Sequence, residues 1–186
     1  MPAAAALRRS PARTAPAGPP DDVPTTRAVA SELLLHRLVR RELRLLAELS
    51  AWAPADDAGR TRDLTRHADL ISRLLLHHHT VERDLLWPVL LRAAPSARPQ
   101  VERWTDRVAG LDHRLRRLST AARQWAVAAS GKAHDAFTLA CLDLADAVDA
   151  QTAEEERELL PLLGAYLSPA AWAEVTRAAR GPLSRR

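Results

Sequence analysis

Two pairs of side chains in this sequence have the types and the spacing of metal ligands. His78 and Glu82 are four residues apart, and Gln151 and Glu155 repeat that separation later in the chain. On an α-helix, residues four apart lie one turn from each other on the same face, so the two members of a pair can approach one ion. Imidazole and carboxylate groups bind iron, zinc and manganese without choosing sharply among them.

A proline follows each pair at the same distance. Pro88 lies six residues after Glu82, in the string ERDLLWP, and Pro161 lies six residues after Glu155, in the string EERELLP. This shared spacing indicates an internal duplication. Two duplicated helices would hold their polar pairs at similar depth in the fold, which favours a shared site over independent packing roles.

A histidine also interrupts the apolar stripe of the first predicted helix. His36 falls among Val29, Leu33, Val39 and Leu43, which recur at steps of three and four residues. Because a charge buried without a partner is expensive, inward histidines and carboxylates need one another, a metal or water. A histidine in this place is either a satisfied core residue or a ligand, and the polar pair on the next helix favours a ligand.

The elements that position these residues are helices. Apolar residues recur at helical steps over residues 26–53, 58–93, 98–129 and 133–166, and a short fifth helix follows from Ser168. Four long helices with short loops predict an all-α fold, an antiparallel up-down four-helix bundle with a short C-terminal helix. Sites in such bundles are built from side chains on facing helices.

The ends of the chain predict a different organisation. Residues 1–25 are rich in Ala, Pro and Arg without periodicity, which is typical of a disordered tail. Residues 26–180 are expected to form one bundle domain, and residues 181–186 a C-terminal tail.

Several helix ends have recognisable signals. The Asp56-Asp57 pair offers a cap for the second helix, Ser96 is the candidate cap for the third, and Ser168 caps the fifth. Ser130-Gly131 is expected to end the third helix, because glycine readily takes the left-handed conformation past a helix end.

Composition excludes several classes of protein. The net charge of +4 comes almost entirely from arginines interleaved with Asp and Glu along helical faces, which argues against a nucleic-acid partner. A single cysteine, Cys141, predicts no disulfide and a reducing, cytoplasmic location. No stretch approaches the roughly 20 apolar residues of a membrane span. The sequence contains no phosphate loop, nucleophile elbow or HExxH motif, so none of these enzyme signatures is present.

The sequence resembles the hemerythrin/HHE cation-binding family over about residues 27–180. The strings that carry the resemblance are LHRLVRRE at 35–42, HHHTVE at 77–82 running into Leu86-Trp87-Pro88, GLDH at 110–113 and EEERELLP at 154–161. The resemblance implies a non-haem di-iron site, with imidazoles and bridging carboxylates, that binds oxygen or senses iron, oxygen, nitric oxide or peroxide.

Individual residues match the family's ligand positions. His36 corresponds to the histidine of the first helix. His78 and Glu82 correspond to the pair of the second helix, in which the resemblance makes Glu82 a bridging ligand. Glu155 corresponds to the carboxylate of the fourth helix, with the adjacent Glu156 as an alternative.

The sequence departs from the family pattern in two helices. Gln151 stands where the fourth helix would carry a histidine, and Arg117 stands four residues after His113, where the third helix often carries a second one. His113 lies nearly opposite the buried row of its helix, and Asp112 lies closer to it. The third-helix ligand is therefore Asp112, His113 or absent. His79, next to the paired histidine of the second helix, is expected to point away from the site.

Together these features support a metal-binding protein with iron as its cofactor, as a di-iron centre if the site is complete and as a single metal or none if it is not, and a small oxidant such as O2 or NO as its ligand. The alternative is a metal-free, degenerate bundle that acts as an interaction or regulatory module, which Gln151 and Arg117 favour. A weaker third hypothesis gives the Arg-rich tail a role on nucleic acid.

Overall fold

The computed structural model describes residues 26–180, and in this range the chain is helical throughout apart from short connections. Both predicted tails, residues 1–25 and 181–186, lie outside the described residues. The all-α prediction is confirmed for the described part. The elements are α1 (Arg27–Trp52), α2 (Ala58–Val81), a π-helical turn (Glu82–Leu86), α3 (Trp87–Ala93), a 3₁₀ turn (Pro95–Ala97), α4 (Arg98–Ala128), α5 (Gly131–Glu158), α6 (Leu160–Tyr166) and α7 (Pro169–Arg180).

Four long helices surround the core of the described region. α1 packs against α2 and α5, and α4 packs against the same two helices, which closes a ring. Along three of these pairs, the contacting residues run in opposite directions on the two helices. These contacts are His36–Glu155 and Arg44–Asp149 for α1 and α5, Glu32–His78 and Glu42–His67 for α1 and α2, and Arg107–Glu154 and Arg114–Asp143 for α4 and α5.

The two duplicated prolines interrupt the helices in which they lie. After Glu82 the second predicted helix widens into the π-helical turn, in which the Trp87 N–H donates to the Glu82 carbonyl five residues earlier. The fourth predicted helix ends at Leu159, and α6 then begins with Pro161 in its first turn. A proline has no N–H and its ring clashes with the carbonyl four residues before it, so a continuous helix is disfavoured. Such π turns are frequent at functional sites.

Most predicted caps are confirmed. The Asp57 carboxylate accepts hydrogen bonds from two N–H groups at the start of α2, and the Ser168 hydroxyl accepts one at the start of α7. The prediction for Ser96 was wrong, because α4 begins after Ala97 without a side-chain cap. The 3₁₀ turn before α4 explains the difference, since it already carries the chain into the helix.

The left-handed residue after α4 is not the predicted glycine. Ala129 takes this conformation with φ of 44°, while Ser130 caps α5 and Gly131 is already its first residue. The two residues between α4 and α5 leave no room for the turn to form later. A residue with a Cβ pays roughly 1–2 kcal/mol in this conformation.

We therefore expect Ala129→Gly to raise the free energy of unfolding by on the order of 1 kcal/mol, because glycine relieves the left-handed strain. Urea denaturation measures the change. Ala128→Gly, one residue earlier within α4, should lower the free energy of unfolding instead. Equal effects of the two substitutions would contradict the assignment of strain to Ala129.

The buried apolar side chains form two clusters. Between them lies a layer of polar side chains, called the polar layer below: Glu32, His36, His78, Glu82, Gln151 and Glu155. The main cluster fills the part of the bundle next to the α1–α2 and α4–α5 connections, and the end cluster fills the part covered by α3, α6 and α7. Large members of the main cluster are Val39, Leu43, Leu75, Leu111, Leu115, Phe137 and Val148, and those of the end cluster are Leu86, Leu90, Trp104, Leu159 and Leu163.

Candidate metal centre

The polar layer consists of three side-chain pairs, each with a spacing of four residues and each on a different helix. On every one of these helices the pair lies between a member of the main cluster and a member of the end cluster. The pairs are Glu32 and His36 on α1, His78 and Glu82 at the end of α2, and Gln151 and Glu155 on α5.

These side chains are withdrawn from water. His36 and Glu82 are each only 2% exposed, and Glu155 is 4% exposed. Glu32 and Gln151 are also buried, and His78 is nearly so. Ionisable groups at this depth need compensating charge, because isolated charges are costly in a medium that water does not reach.

Short distances connect the three pairs. His36 Nε2 lies 3.0 Å from Glu155 Oε2. His78 Nε2 lies 3.5 Å from Glu82 Oε1 and 3.8 Å from Glu32 Oε2. One ligand-type atom each of Glu32, His36 and His78 falls within 4.8 Å of the other two, which is the separation expected of groups around one cation.

Several of these polar atoms are not satisfied by the protein. Oε2 of Glu32 and Oε2 of Glu82 are buried without a hydrogen-bond partner among the described residues. Nε2 of His36 is close to the Glu155 carboxylate but lacks the alignment of a hydrogen bond. Buried polar atoms are nearly always paired in folded proteins. Unpaired atoms of the kinds that bind metals therefore fit a cation between them.

Burial also changes the acidity of the carboxyl groups. It raises the pKa of Glu32 to about 7, an effect that His36 opposes and Glu155 increases. Burial likewise raises the pKa of Glu82 well above its usual range, and the charges of Glu155 and Glu32 add to the rise. Three carboxyl groups that repel one another in a dry interior would be stabilised by positive charge.

The two histidines respond in opposite directions. Burial, together with the smaller effects of His79 and His36, lowers the pKa of His78 to about 3, so His78 is neutral and keeps a free lone pair. Burial also opposes charging of His36, but the neighbouring carboxylates of Glu155 and Glu32 outweigh it and its pKa is raised. A neutral imidazole is the form that binds metals.

A second set of groups orients His36 from outside the layer. Its Nδ1–H donates to Oε1 of Glu156 at 3.2 Å, and the Arg40 guanidinium lies 3.1 Å from the same oxygen. With Nδ1 held as the donor in this contact, Nε2 is the nitrogen that faces the interior and would bind a metal. A carboxylate on the outer nitrogen of a ligand histidine is the usual outer-shell arrangement of metal sites.

Four of the six sequence-predicted site residues lie together in the polar layer: His36, His78, Glu82 and Glu155. The choice between the two adjacent glutamates follows from the geometry. Glu155 is buried and faces the layer, whereas Glu156 is half-buried and contacts the outer nitrogen of the histidine.

The two candidate ligands of the third predicted helix, which is α4 in the structure, lie outside the polar layer. The Asp112 carboxylate contacts His79 Nδ1 at 2.7 Å, and His79 is buried in the interface between α2 and α4, away from the polar layer as expected. His113 is exposed on the outer side of α4, where it lines a surface groove with Arg117. On α4, Val108 is the buried residue between Trp104 of the end cluster and Leu111 of the main cluster. The structure thus brings neither Asp112 nor His113 to the polar layer.

Sequence reasoning missed Glu32. Its signal was present, because Glu32 precedes His36 by four residues, the same spacing as in the two duplicated pairs. The two predicted pairs are each followed by a proline, whereas α1 contains no proline, so its pair lacks that signal. The α1 pair completes the layer with a third carboxylate.

A ring of helix contacts around a layer of three carboxylates and two imidazoles is the arrangement in which helical bundles build metal sites. The model of the hemerythrin HHE cation binding domain matches residues 33–163, which is most of the chain. The chain therefore belongs to the hemerythrin HHE family. Comparisons with curated proteins and with solved structures gave no match. Within residues 26–180, no helix has both the length and the apolar character required to cross a membrane.

Proposed function

We propose that this protein binds iron in the polar layer and uses the centre to bind or sense oxygen, nitric oxide or peroxide. The observation that carries the proposal is the convergence of buried, unpartnered carboxylate and imidazole atoms from three helices. Glu32, His36 and His78 would hold the metal, with Glu82 and Glu155 beside them. Bound iron would supply a redox-active centre with affinity for small oxidants.

Charge balance supports a cation in this layer. When ionised, Glu32, Glu82 and Glu155 carry three negative charges, while His78 is neutral and His36 would be neutral once its nitrogen binds a metal. Either one or two divalent ions would bring the layer within one unit of neutrality. Because Gln151 replaces an imidazole and Val108 occupies the α4 side, we favour a single well-held ion over the pair that is typical of the family.

The protein's own residues would control access and orientation. The two apolar clusters on either side of the layer exclude water, which strengthens electrostatic interactions inside. Glu156, held by Arg40, fixes the His36 ring. Val108 gives the α4 side an apolar wall against which a small uncharged molecule can lie.

In the direct test, ferrous iron is added to the purified protein in the absence of oxygen. Unbound metal is removed, and the protein is then exposed to air. We expect near-ultraviolet absorption from charge transfer between iron and its ligands, together with protein-bound iron. A protein that remains colourless and retains no iron would contradict the proposal. Zinc or manganese retained in place of iron would support the site and correct its metal.

The contact around His36 leads to a separate prediction. Glu156→Gln should weaken metal affinity by about 10- to 100-fold, the usual effect of losing an outer carboxylate. Titration with a metal-sensitive dye measures the dissociation constant. Glu158→Gln is the matched control, because Glu158 is paired with Arg103 and Arg157 rather than with the histidine. Equal losses in both variants would refute the orienting role of Glu156.

A second candidate function is that of a metal-free interaction module. Gln151 favours it, because its amide donates to Glu155 Oε1 at 2.8 Å and so satisfies one layer carboxylate without metal. Under this hypothesis, added metal changes neither the stability nor the spectrum of the protein. The loading experiment therefore separates the two functions.

The location and limits of the domain complete the proposal. We place the protein in the cytoplasm, where a single thiol stays reduced. Cys141 is buried, and burial raises its pKa to about 12, so this thiol is weakly reactive. We take residues 26–180 as one bundle flanked by two tails, and small oxidants rather than nucleic acid as its ligands.

A further inference from the structure

The contact between His79 and Asp112 joins α2 to α4 just outside the polar layer. His79 Nδ1 lies 2.7 Å from Asp112 Oδ1, and His79 is buried while Asp112 is half-buried. The His79 ring is 5.9 Å from the ring of His78, measured between centroids. A carboxylate only accepts hydrogen bonds, so Nδ1 carries the proton and donates it. Such a short bond to a carboxylate is strong and directional, so it fixes the His79 ring on α4.

Within residues 26–180, this is the only hydrogen bond or ion pair between a side chain of α2 and a side chain of α4. The other polar contacts of α2 side chains are made along the helix itself and its caps, or to α1. By contrast, α1 and α5 are joined at several levels, from His36–Glu155 to Arg44–Asp149. Apolar packing between α2 and α4 adds cohesion but little direction. The rotation of α2 against α4 therefore depends on one polar contact.

The rotation of α2 matters because His79 lies between two proposed ligands in the chain. His78 precedes it directly, and Glu82 follows three residues later. If α2 turned by about 20°, an atom about 6 Å from the helix axis would move by about 2 Å. Metal sites tolerate deviations of only about 0.2 Å in their ligand distances. A small rotation would therefore take both ligands out of range of an ion.

The backbone after His79 does not hold this rotation by itself. The α-helix gives way to the π-helical turn after Val81, and the Glu82 N–H is shared between the carbonyls of His78 and His79. The regular ladder of hydrogen bonds is thus loosened within one turn of the ligands. A side-chain contact at His79 fixes the helix at the last point before this change.

We propose that His79 and Asp112 are positioning residues, whose contact sets the rotation of α2 at which the His78 ring and the Glu82 carboxylate face the polar layer. The proposal rests on the metal centre proposed above and adds a role for α4, the long helix that contributes no side chain to the layer. Asp112, a candidate ligand by sequence, then acts on the metal through His79 and the backbone of α2.

Iron affinity and the free energy of unfolding, measured on the same variants of the full chain, separate positioning from stability. Asp112→Leu should weaken ferrous iron binding by about tenfold, the lower end of the losses caused by removing outer carboxylates. It should also lower the free energy of unfolding, because the buried Nδ1–H of His79 loses its acceptor. Asp112→Asn should keep most of the affinity, since its amide oxygen still accepts from Nδ1–H. Anaerobic competition with a chelator measures the dissociation constants.

A double variant distinguishes the two effects further. His79→Leu/Asp112→Leu leaves no polar group unpaired, so its free energy of unfolding should return towards that of the wild-type protein. Its iron affinity should stay as low as that of Asp112→Leu, because an apolar pair has no directional bond. Asp143→Leu is the control and should bind iron normally, since it removes only exposed ion pairs between α4 and α5.

Three results would overturn the proposal. Asp112→Leu could bind iron as tightly as the wild-type protein does. The double variant could regain affinity together with stability, which would make the contact merely structural. Asp112→Asn could lose as much affinity as Asp112→Leu, which would mean that the carboxylate charge, rather than the hydrogen bond, acts on the metal.

A measurement on the metal-free protein separates failure of this inference from failure of the iron proposal. Nitrogen NMR of the imidazoles should show the proton of His79 on Nδ1. Asp112→Leu should shift the signals of the His78 ring more than Asp112→Asn does, although both substitutions remove the same charge. Equal shifts in the two variants would refute the positioning role even if the wild-type protein binds iron. Unequal shifts in a protein that binds no iron would support the role of the contact and contradict only the iron proposal.

Discussion

The His78→Leu variant should lose the stabilisation that metal gives the wild-type protein. A ligand that binds only the folded state stabilises it by about 2.7 kcal/mol when its free concentration is a hundred times the dissociation constant. Among the proposed ligands, His78 lies within 4 Å of two carboxylates from different elements, Glu32 and Glu82. Without its imidazole the remaining donors cannot close around an ion. Thermal unfolding with and without metal measures the loss.

The metal-free form should respond in the opposite way. His78 is neutral because its pKa falls to about 3, and its nearest carboxylates are at 3.5 and 3.8 Å. Replacing a buried polar group that has poor contacts with an apolar one is often neutral or stabilising. We therefore expect unchanged or higher stability without metal.

His77→Leu is the control for this experiment, since His77 is the exposed neighbour on the same helix. It should keep the full metal effect. If metal stabilises His78→Leu as strongly as it stabilises the wild-type protein, the ion is bound elsewhere.

The Gln151→His variant should bind metal more tightly than the wild-type protein. Gln151 occupies the layer beside Glu155, and its amide only donates a hydrogen bond there. An imidazole in its place adds a ligand of the type that iron prefers over an amide. We expect affinity to rise by about tenfold or more, the scale on which metal sites respond to their ligand surroundings. Competition with a chelator measures the change.

Gln151→Leu separates the new ligand from the loss of the amide. Leucine removes the hydrogen bond to Glu155 without offering a donor, so it should not increase affinity. An equal gain in both variants would mean that release of the Glu155 carboxylate, rather than the new imidazole, strengthens binding. No gain in either variant would show that position 151 does not face the ion.

Periodicity predicted the fold well because each long helix buries one continuous stripe. The four long segments and the short last helix follow from apolar spacing alone, and Asp57 and Ser168 mark helix starts as their chemistry requires. The boundaries set by the duplicated prolines were less predictable. A helix that meets a proline can kink, widen or stop, and the sequence does not decide between the π turn after Glu82 and the break at Leu159.

The site was predictable where a helix carries two polar residues on its buried stripe. The spacing identified the pair on α2 and the carboxylate on α5. It did not identify Glu32, which lies near the start of α1, where an acidic residue reads equally well as exposed. The α4 ligand depended on helix rotation, a tertiary property, and packing placed Val108 at the level of the layer.

The iron content of the purified protein tests the central claim most directly. After anaerobic loading with ferrous iron and gel filtration, elemental analysis should find about one ion per wild-type chain and almost none in the His36→Leu/His78→Leu double variant. Circular dichroism would confirm that the double variant is folded. Equal iron in the two proteins, or none in either, would contradict a metal centre in the polar layer.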